Sequence, residues 1–371
     1  MDESFSSLTP EARLVTPPEK KPIKKIVLSC IGIGVVILLV VGLYIGNARK
    51  SLLQNTSIIA SPEGLAINPS PLPYQEMTIP YLRDKEYMST LGQREEYSRG
   101  SNYTSYVTNY ISDGLRVNGL LTIPDSDQPE NGYPAIVFVH GYIPPTQYTT
   151  TDRYADYVDY LARNGYVVFK IDLRGHGNSE GEAGGGYYGS DYVIDTLNAR
   201  AALQTSGIVN PQKIGLWGHS MAGNATLRAM AADPEIPATA IWAGAVYSYE
   251  DQRKYGIQDN SYSPPSNSVA RQNRRRDLFE KVGSPSAQSE FWRQVAPIYY
   301  LDDLKGAVGL FHAVNDEVVN IGYSRDLVTE LENASVPHEF HEYTSGGHNI
   351  DGASFVSAMQ DTVEFYDRYL K

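Results

Sequence analysis

Gly218-His219-Ser220-Met221-Ala222-Gly223 sets a serine among small residues, where an apolar run gives way to a helical pattern. Lys213 to Trp217 reads as a strand and Met221 to Ala232 as a helix. That is the setting of a tight strand–turn–helix elbow, which thrusts a serine hydroxyl out at a helix N-terminus. The usual spacing is Gly-x-Ser-x-Gly; here Ala222 stands in the place of the second glycine and Gly223 follows. The alternative reading of Ser220 is a cap on an ordinary strand–helix turn. A serine hydroxyl is a weak nucleophile until a neutral imidazole accepts its proton and a carboxylate fixes the imidazole tautomer. His348 and Asp316 can supply those groups, each from a loop that follows an expected strand. The first loop continues Phe311-His312-Ala313-Val314-Asn315; the second is Ser345-Gly346-Gly347-His348, whose glycines allow the ring to be aimed. Asp302, Asp303 and Glu317 compete for the carboxylate role, and His338 and His341 for the base. Those two histidines belong to a strand pattern, where side-chain direction alternates, and are less free to reach Ser220.

The elements around these residues alternate. Tyr103 to Tyr110 and Leu115 to Ile123 are β-rich runs around Asp113-Gly114, a hairpin signal. Strands are expected at Ala135 to Val139, Tyr166 to Ile171, Lys213 to Trp217, Thr239 to Val246, Val308 to Phe311 and His338 to Tyr343. Helices are expected at Asp152 to Asn164, Asp191 to Thr205, Met221 to Ala232 and Phe355 to Leu370. Such βαβ alternation implies an α/β class with a mostly parallel central sheet and helices on both faces. Residues 248–300 break the rhythm without a clean strand and read as an inserted cap over the sheet's C-terminal edge, where open α/β sheets place ligands.

The Ser220 elbow and its two loops, with Asp172-Leu173-Arg174-Gly175-His176-Gly177-Asn178-Ser179 after a strand, resemble the α/β-hydrolase superfamily. Ser112-Asp113-Gly114-Leu115 and Asn315-Asp316-Glu317-Val318-Val319 are similar to the catalytic domain of the prolyl oligopeptidase family and its dienelactone-hydrolase-like relatives. The resemblance covers roughly residues 103–371. It implies a triad in the order Ser220, Asp316, His348 and an oxyanion hole formed by the backbone N–H groups of Tyr142, after His140-Gly141, and Met221. It also implies a serine peptidase working through an acyl-enzyme, with a carboxylesterase as the alternative. In one respect the chain departs from the family: too few residues separate the apolar N-terminal run from Tyr103 for the β-propeller that prolyl oligopeptidases generally carry. A third class, a membrane-anchored binding protein that keeps the fold without activity, is opposed by the intact triad. Asp172 to Ser179 reads as a structural turn tethered by Arg174.

Neither a metal nor another cofactor is expected. His338-Glu339-Phe340-His341 lacks the spacing of a helical zinc motif, and Gly184-Gly185-Gly186 lacks the Lys-Ser/Thr of a phosphate loop. The single cysteine, Cys30, lies in the apolar N-terminal run and rules out a thiol nucleophile, a cysteine-based zinc site and an intrachain disulfide. Arg271, Arg274, Arg275 and Arg276 form a basic cluster in the cap, read either as a solvated helix face or as a contact for an anionic substrate group or lipid headgroup.

Ile26 to Gly46 contains no charged residue, and a helix of that length spans a hydrocarbon core of roughly 30 Å. Lys20, Lys21, Lys24 and Lys25 precede it, while Arg49 and Lys50 follow. The bias favours an internal N-terminus and an external catalytic domain. A cleaved signal peptide is the rival reading, opposed by the length of the apolar run and by Asn47-Ala48-Arg49-Lys50, a poor cleavage site. The expected organisation is therefore a polar tail (1–25), a transmembrane helix (26–46), a linker and N-terminal extension (47–100) and a catalytic domain (101–371). Residues 1–50 hold seven Lys and Arg against four Asp and Glu; since the whole chain carries −12, the remainder carries −15. Such an acidic main domain argues against nucleic acid as a partner. The expected partners are a peptide or ester substrate and the membrane.

Overall fold

In the computed structural model, residues 73–184, 186–258 and 269–371 are described. The expected tail, the membrane span at 26–46 and the first part of the linker lie outside the described residues. Among the described residues, no helix is long and apolar enough to cross a membrane.

The described chain opens with helix α1 (Ile79–Asp84), capped by Thr78 and carrying Pro80 in its first turn, and with edge strand β1 (Glu95–Arg99). Strands β2 (Tyr103–Ser112) and β3 (Leu115–Pro124) form the expected hairpin. Asp113 and Gly114 both take positive φ, 50° and 79°, as a two-residue hairpin turn requires. There follow β4 (Tyr133–Val139), α2 (Ala155–Arg163), β5 (Val167–Ile171), α3 (Asp191–Gln204), β6 (Val209–His219), α4 (Met221–Ala232) and β7 (Ala238–Trp242). Helices α5 (Glu250–Tyr255), α6 (Val269–Val282) and α7 (Glu290–Val295) come next. The chain closes with β8 (Ala307–Ala313), α8 (Gly322–Asn333), β9 (His338–Tyr343) and α9 (Phe355–Leu370).

The nine strands form one sheet in the order β1-β2-β3-β5-β4-β6-β7-β8-β9. The first three are antiparallel, as is the β3–β5 pair, and every later pair is parallel. Parallel strands are covered on both faces, so β4, β5, β7 and β8 read as nearly continuous apolar runs and are buried almost throughout. One face packs α3, α4 and α8 around Leu197, Leu227 and Leu327. The other packs α2 and α9 around Leu161, Trp217 and Phe365.

Several elements differ from the sequence reading, α1 and β1 lying within the expected linker and N-terminal extension. The strand expected to reach Val246 stops at Trp242, because Ala243 and Val246 take positive φ (46° and 64°) and turn the chain out of the sheet. Residues 322–333, for which the sequence pattern predicts no element, form α8, which buries Tyr323, Leu327 and Leu331 at a spacing of four. The described part of 248–300 contains α5, α6 and α7 and no strand.

The register brings the chemistry to one edge. Val139 lies beside Gly218, His219 beside Trp242, Trp242 beside Phe311 and Ala313 beside Tyr343. The C-terminal ends of β4, β6, β8 and β9 are thus level, and the loops leaving them open on the same side of the sheet.

Candidate active site

Ser220 occupies the turn between β6 and α4 with φ 55° and ψ −119°, a conformation that costs an L-residue about 1–3 kcal/mol. The surroundings hold it there. Its N–H donates to Trp242 O at 2.9 Å, and its carbonyl accepts the Gly223 N–H at 2.9 Å. A Cβ on Gly218 would sit 2.7 Å from both Ala222 O and Thr226 Oγ1, so the residue two before the serine must be glycine. A Cβ on Gly223 would meet the Cα of Gly244 and Cγ2 of Ile241 at 2.8 Å. The close approach of helix to strand therefore falls on Gly223, while Ala222 is accommodated in the core.

Asp316 follows β8, and its side chain is fully buried. One oxygen, Oδ1, accepts the N–H groups of Val318 at 2.8 Å and Val319 at 2.9 Å. The other, Oδ2, faces His348 Nδ1 at 2.8 Å and His312 Nε2 at 3.1 Å. Burial opposes the charge, but the hydrogen bonds from His312 and His348 outweigh it and hold the carboxyl well below the usual carboxylate range. His348 lies in a short turn after Gly346 and Gly347, both with positive φ (118° and 57°). A Cβ on Gly346 would come within 2.8 Å of the Ile350 backbone, so the turn needs glycine there. With Nδ1 committed to the carboxylate, Nε2 is the nitrogen left to take a proton from a hydroxyl.

The two loops and the elbow meet at His219. Its Nε2 lies 2.9 Å from the carbonyl oxygen of His348, and the two rings are 4.6 Å apart. Its Nδ1 lies 2.7 Å from Tyr154 Oη, which also receives the Gly141 N–H at 3.0 Å. Burial, with His348 adding in the same direction, pushes the His219 imidazole down to about 3, so the ring is neutral. Gly141 follows β4 and precedes Tyr142, and Met221 opens α4 directly after Ser220.

A family profile described as serine aminopeptidase, S33, matches residues 133–273, from the start of β4 through the elbow. YtmA of Bacillus subtilis, described as an uncharacterized peptidase, is 25% identical over 248 residues, which is 66% of this chain and 85% of that protein. A puromycin-hydrolyzing peptidase of Mycobacterium tuberculosis superposes with a TM-score of 0.58 at 21% identity, over 73% of this chain and 40% of that one. An acetyl xylan esterase from Paenibacillus superposes with a TM-score of 0.56 at 16% identity, over 79% of this chain and 92% of that one. The chain has the α/β-hydrolase fold. By class it is a serine hydrolase.

Other groups weighed in the sequence of this α/β-hydrolase are engaged elsewhere. His338 Nδ1 contacts Val336 O at 2.8 Å, and His341 stacks on Phe311 beside Glu339. Asp303 pairs with Arg83 at 2.8 Å. Arg174 is the expected tether: it is buried, reaches Asp195 at 2.6 Å and Asp113 at 3.1 Å, and holds the turn after β5. In the basic cluster, Arg275 lies 4.5 Å over the Tyr188 ring and Arg276 contacts Asn273 and Glu280.

Three polar residues of the site carry no assigned role in the sequence reading. His312 precedes Asp316 by four residues, and His219 occupies the variable position of the elbow, so both stand inside motifs already singled out. Tyr154 has no local signal, being one of several tyrosines around α2.

Proposed function

We propose that this α/β-hydrolase is a membrane-anchored serine peptidase in which Ser220 attacks a carbonyl, His348 is the base and Asp316 orients it. The observation that carries the reading is the 2.8 Å His348–Asp316 pair, whose loop is bonded to the residue preceding a strained Ser220. Ser220 Oγ bonds to the carbonyl carbon as its proton passes to His348 Nε2. The N–H groups of Tyr142 and Met221 stabilise the resulting oxyanion, each such donor contributing about 2.7–4 kcal/mol to the transition state. Collapse breaks the bond to the leaving amine, which takes the proton from His348 and leaves an acyl-enzyme. Water, deprotonated by His348, then releases the acid and restores Ser220. The apolar run at 26–46 serves as the anchor, with the catalytic domain outside.

A carboxylesterase is the second reading, since esterases as well as peptidases share this fold. A fluorophosphonate probe is expected to label the full chain and not Ser220→Ala; equal labelling of the two sinks the nucleophile assignment. A panel of nitrophenyl esters and peptide amides decides the bond. Ester turnover without amide cleavage replaces the peptidase reading with the esterase one. Resistance to alkaline extraction from membranes tests the anchor.

A further inference from the structure

His219 is buried, and each of its ring nitrogens faces a polar partner. Those partners admit one proton arrangement. The carbonyl of His348 can only accept, so Nε2 of His219 carries the ring proton. The lone pair of the neutral ring is then at Nδ1, and the Tyr154 hydroxyl donates to it. The Tyr154 oxygen in turn accepts the Gly141 N–H. Three hydrogen bonds thus run in one direction, from the end of β4, through Tyr154 at the N-cap of α2 and through the elbow, to the main chain of His348.

The turn that carries His348 has reason to need such a tether. Gly347 N–H donates to Asn315 Oδ1 at 3.0 Å and Tyr157 Oη to Asn349 O at 2.7 Å, which hold the turn on either side of His348, while the Asp316 contact holds the ring at one atom only. A ring held at Nδ1 alone can swing about that contact unless its main chain is held as well. We propose that His219 and Tyr154 are positioning residues, which lock the His348 main chain and the Gly141 strand end to the elbow so that base, nucleophile and oxyanion donors keep one geometry. The inference rests on the assignment of Ser220, Asp316 and His348 made above. Misplacement by about 1 Å costs up to about 100-fold in such sites.

The apolar parts of these residues are packed independently of the row. Tyr154 stacks edge-on to Phe138 at 5.4 Å and Trp217 at 5.9 Å, contacts that phenylalanine retains. Tyr154→Phe therefore removes one hydroxyl and little else. Glutamine at 219 can keep a donor near the Nε2 position, whereas leucine cannot.

The test uses the full chain in detergent, with the fluorophosphonate labelling rate and the kcat and KM for a nitrophenyl ester as readouts. Tyr154→Phe and His219→Leu are each expected to slow labelling and kcat by about 10–100-fold with KM within about twofold. His219→Gln is expected to recover most of the loss caused by leucine. The double variant Tyr154→Phe/His219→Leu is expected to be no slower than the slower single variant, because one row is broken once. Nitrogen NMR of histidine-labelled wild-type protein is expected to show His219 as the Nε2–H tautomer, a result independent of how any variant folds. Losses that multiply in the double variant, glutamine no better than leucine, or an Nδ1–H tautomer each overturn the proposal. Labelling of Ser220→Ala at the wild-type rate overturns the triad assignment and the positioning role with it. If Ser220→Ala is unlabelled while Tyr154→Phe and His219→Leu react at the wild-type rate, only the positioning role fails.

Discussion

His348 Nδ1 lies 2.8 Å from Asp316 Oδ2, although 32 residues separate the two in the chain. They meet because β8 and β9 are parallel neighbours whose ends are level at Ala313 and Tyr343. The carboxylate accepts four hydrogen bonds, and in the proposed mechanism it holds the tautomer of His348 and stabilises the imidazolium. Asp316→Asn keeps the shape and inverts that hydrogen bond. Turnover is expected to fall by about 10⁴ in protein that still folds, with a lowered melting temperature because the charge-assisted bonds from His312 and His348 are lost. Steady-state kinetics and thermal unfolding of the same preparation check this; unaffected turnover assigns the orienting role to another acid.

His312 contributes to the same oxygen from inside the sheet. Its Nε2 reaches Asp316 at 3.1 Å and Val319 O at 3.0 Å, and its Nδ1 lies 2.8 Å from Ser324 Oγ. Replacement by leucine leaves buried polar partners unsatisfied, which costs about 1–3 kcal/mol each. His312→Leu is expected to lower stability by that order in urea unfolding and also to reduce kcat, as one support of Asp316 is lost. A stability loss with kcat unchanged would restrict His312 to a structural role.

Acid is expected to destabilise the fold through His219. Its folded-state value of about 3 lies below the ordinary 6.5. Between those values the unfolded chain binds a proton that the folded chain refuses, so stability is full above about pH 6.5 and falls as the pH drops toward 3. The slope for one such group approaches about 1.4 kcal/mol per pH unit. Asp316, held below its ordinary 3.8, adds a loss in the same direction below that pH. Unfolding free energy measured across this range should be flatter for His219→Gln than for the wild type; identical slopes refute a neutral, buried His219.

Arg174 and Asp195 make a buried pair at 2.6 Å, with the Asp195 side chain wholly inaccessible. Removing one partner strands the other charge. Arg174→Ala is expected to cost about 3–5 kcal/mol, and the double change Arg174→Met/Asp195→Leu less, because the Asp195 charge is then not left buried even though Ser112 Oγ and the Arg174 N–H lose their acceptor. Whatever protein remains folded should still label at Ser220, since the pair lies outside the triad. Loss of labelling in the folded fraction would give Arg174 a part in the chemistry.

The residue pattern alone determined the α/β class, the Asp113-Gly114 hairpin and the three candidate chemical groups. Each of these is a local signal: periodicity, turn chemistry, or a motif between a strand and a helix. The sequence also marked Ala222 as a departure, and the structure shows why it is harmless, since the tight contact falls on Gly223 against Gly244. The competition between His348 and the strand histidines was open in one dimension. In three dimensions strand order places β8 beside β9 and the glycine turn carries His348 to Asp316. The contacts of Tyr154 and His219 were beyond local reading for the same reason. Their hydrogen bonds join α2, the elbow and the strand ends, and no periodicity encodes a contact between residues 65 or 129 positions apart. Sequence names the groups that can react; the level edge of a parallel sheet decides which of them meet.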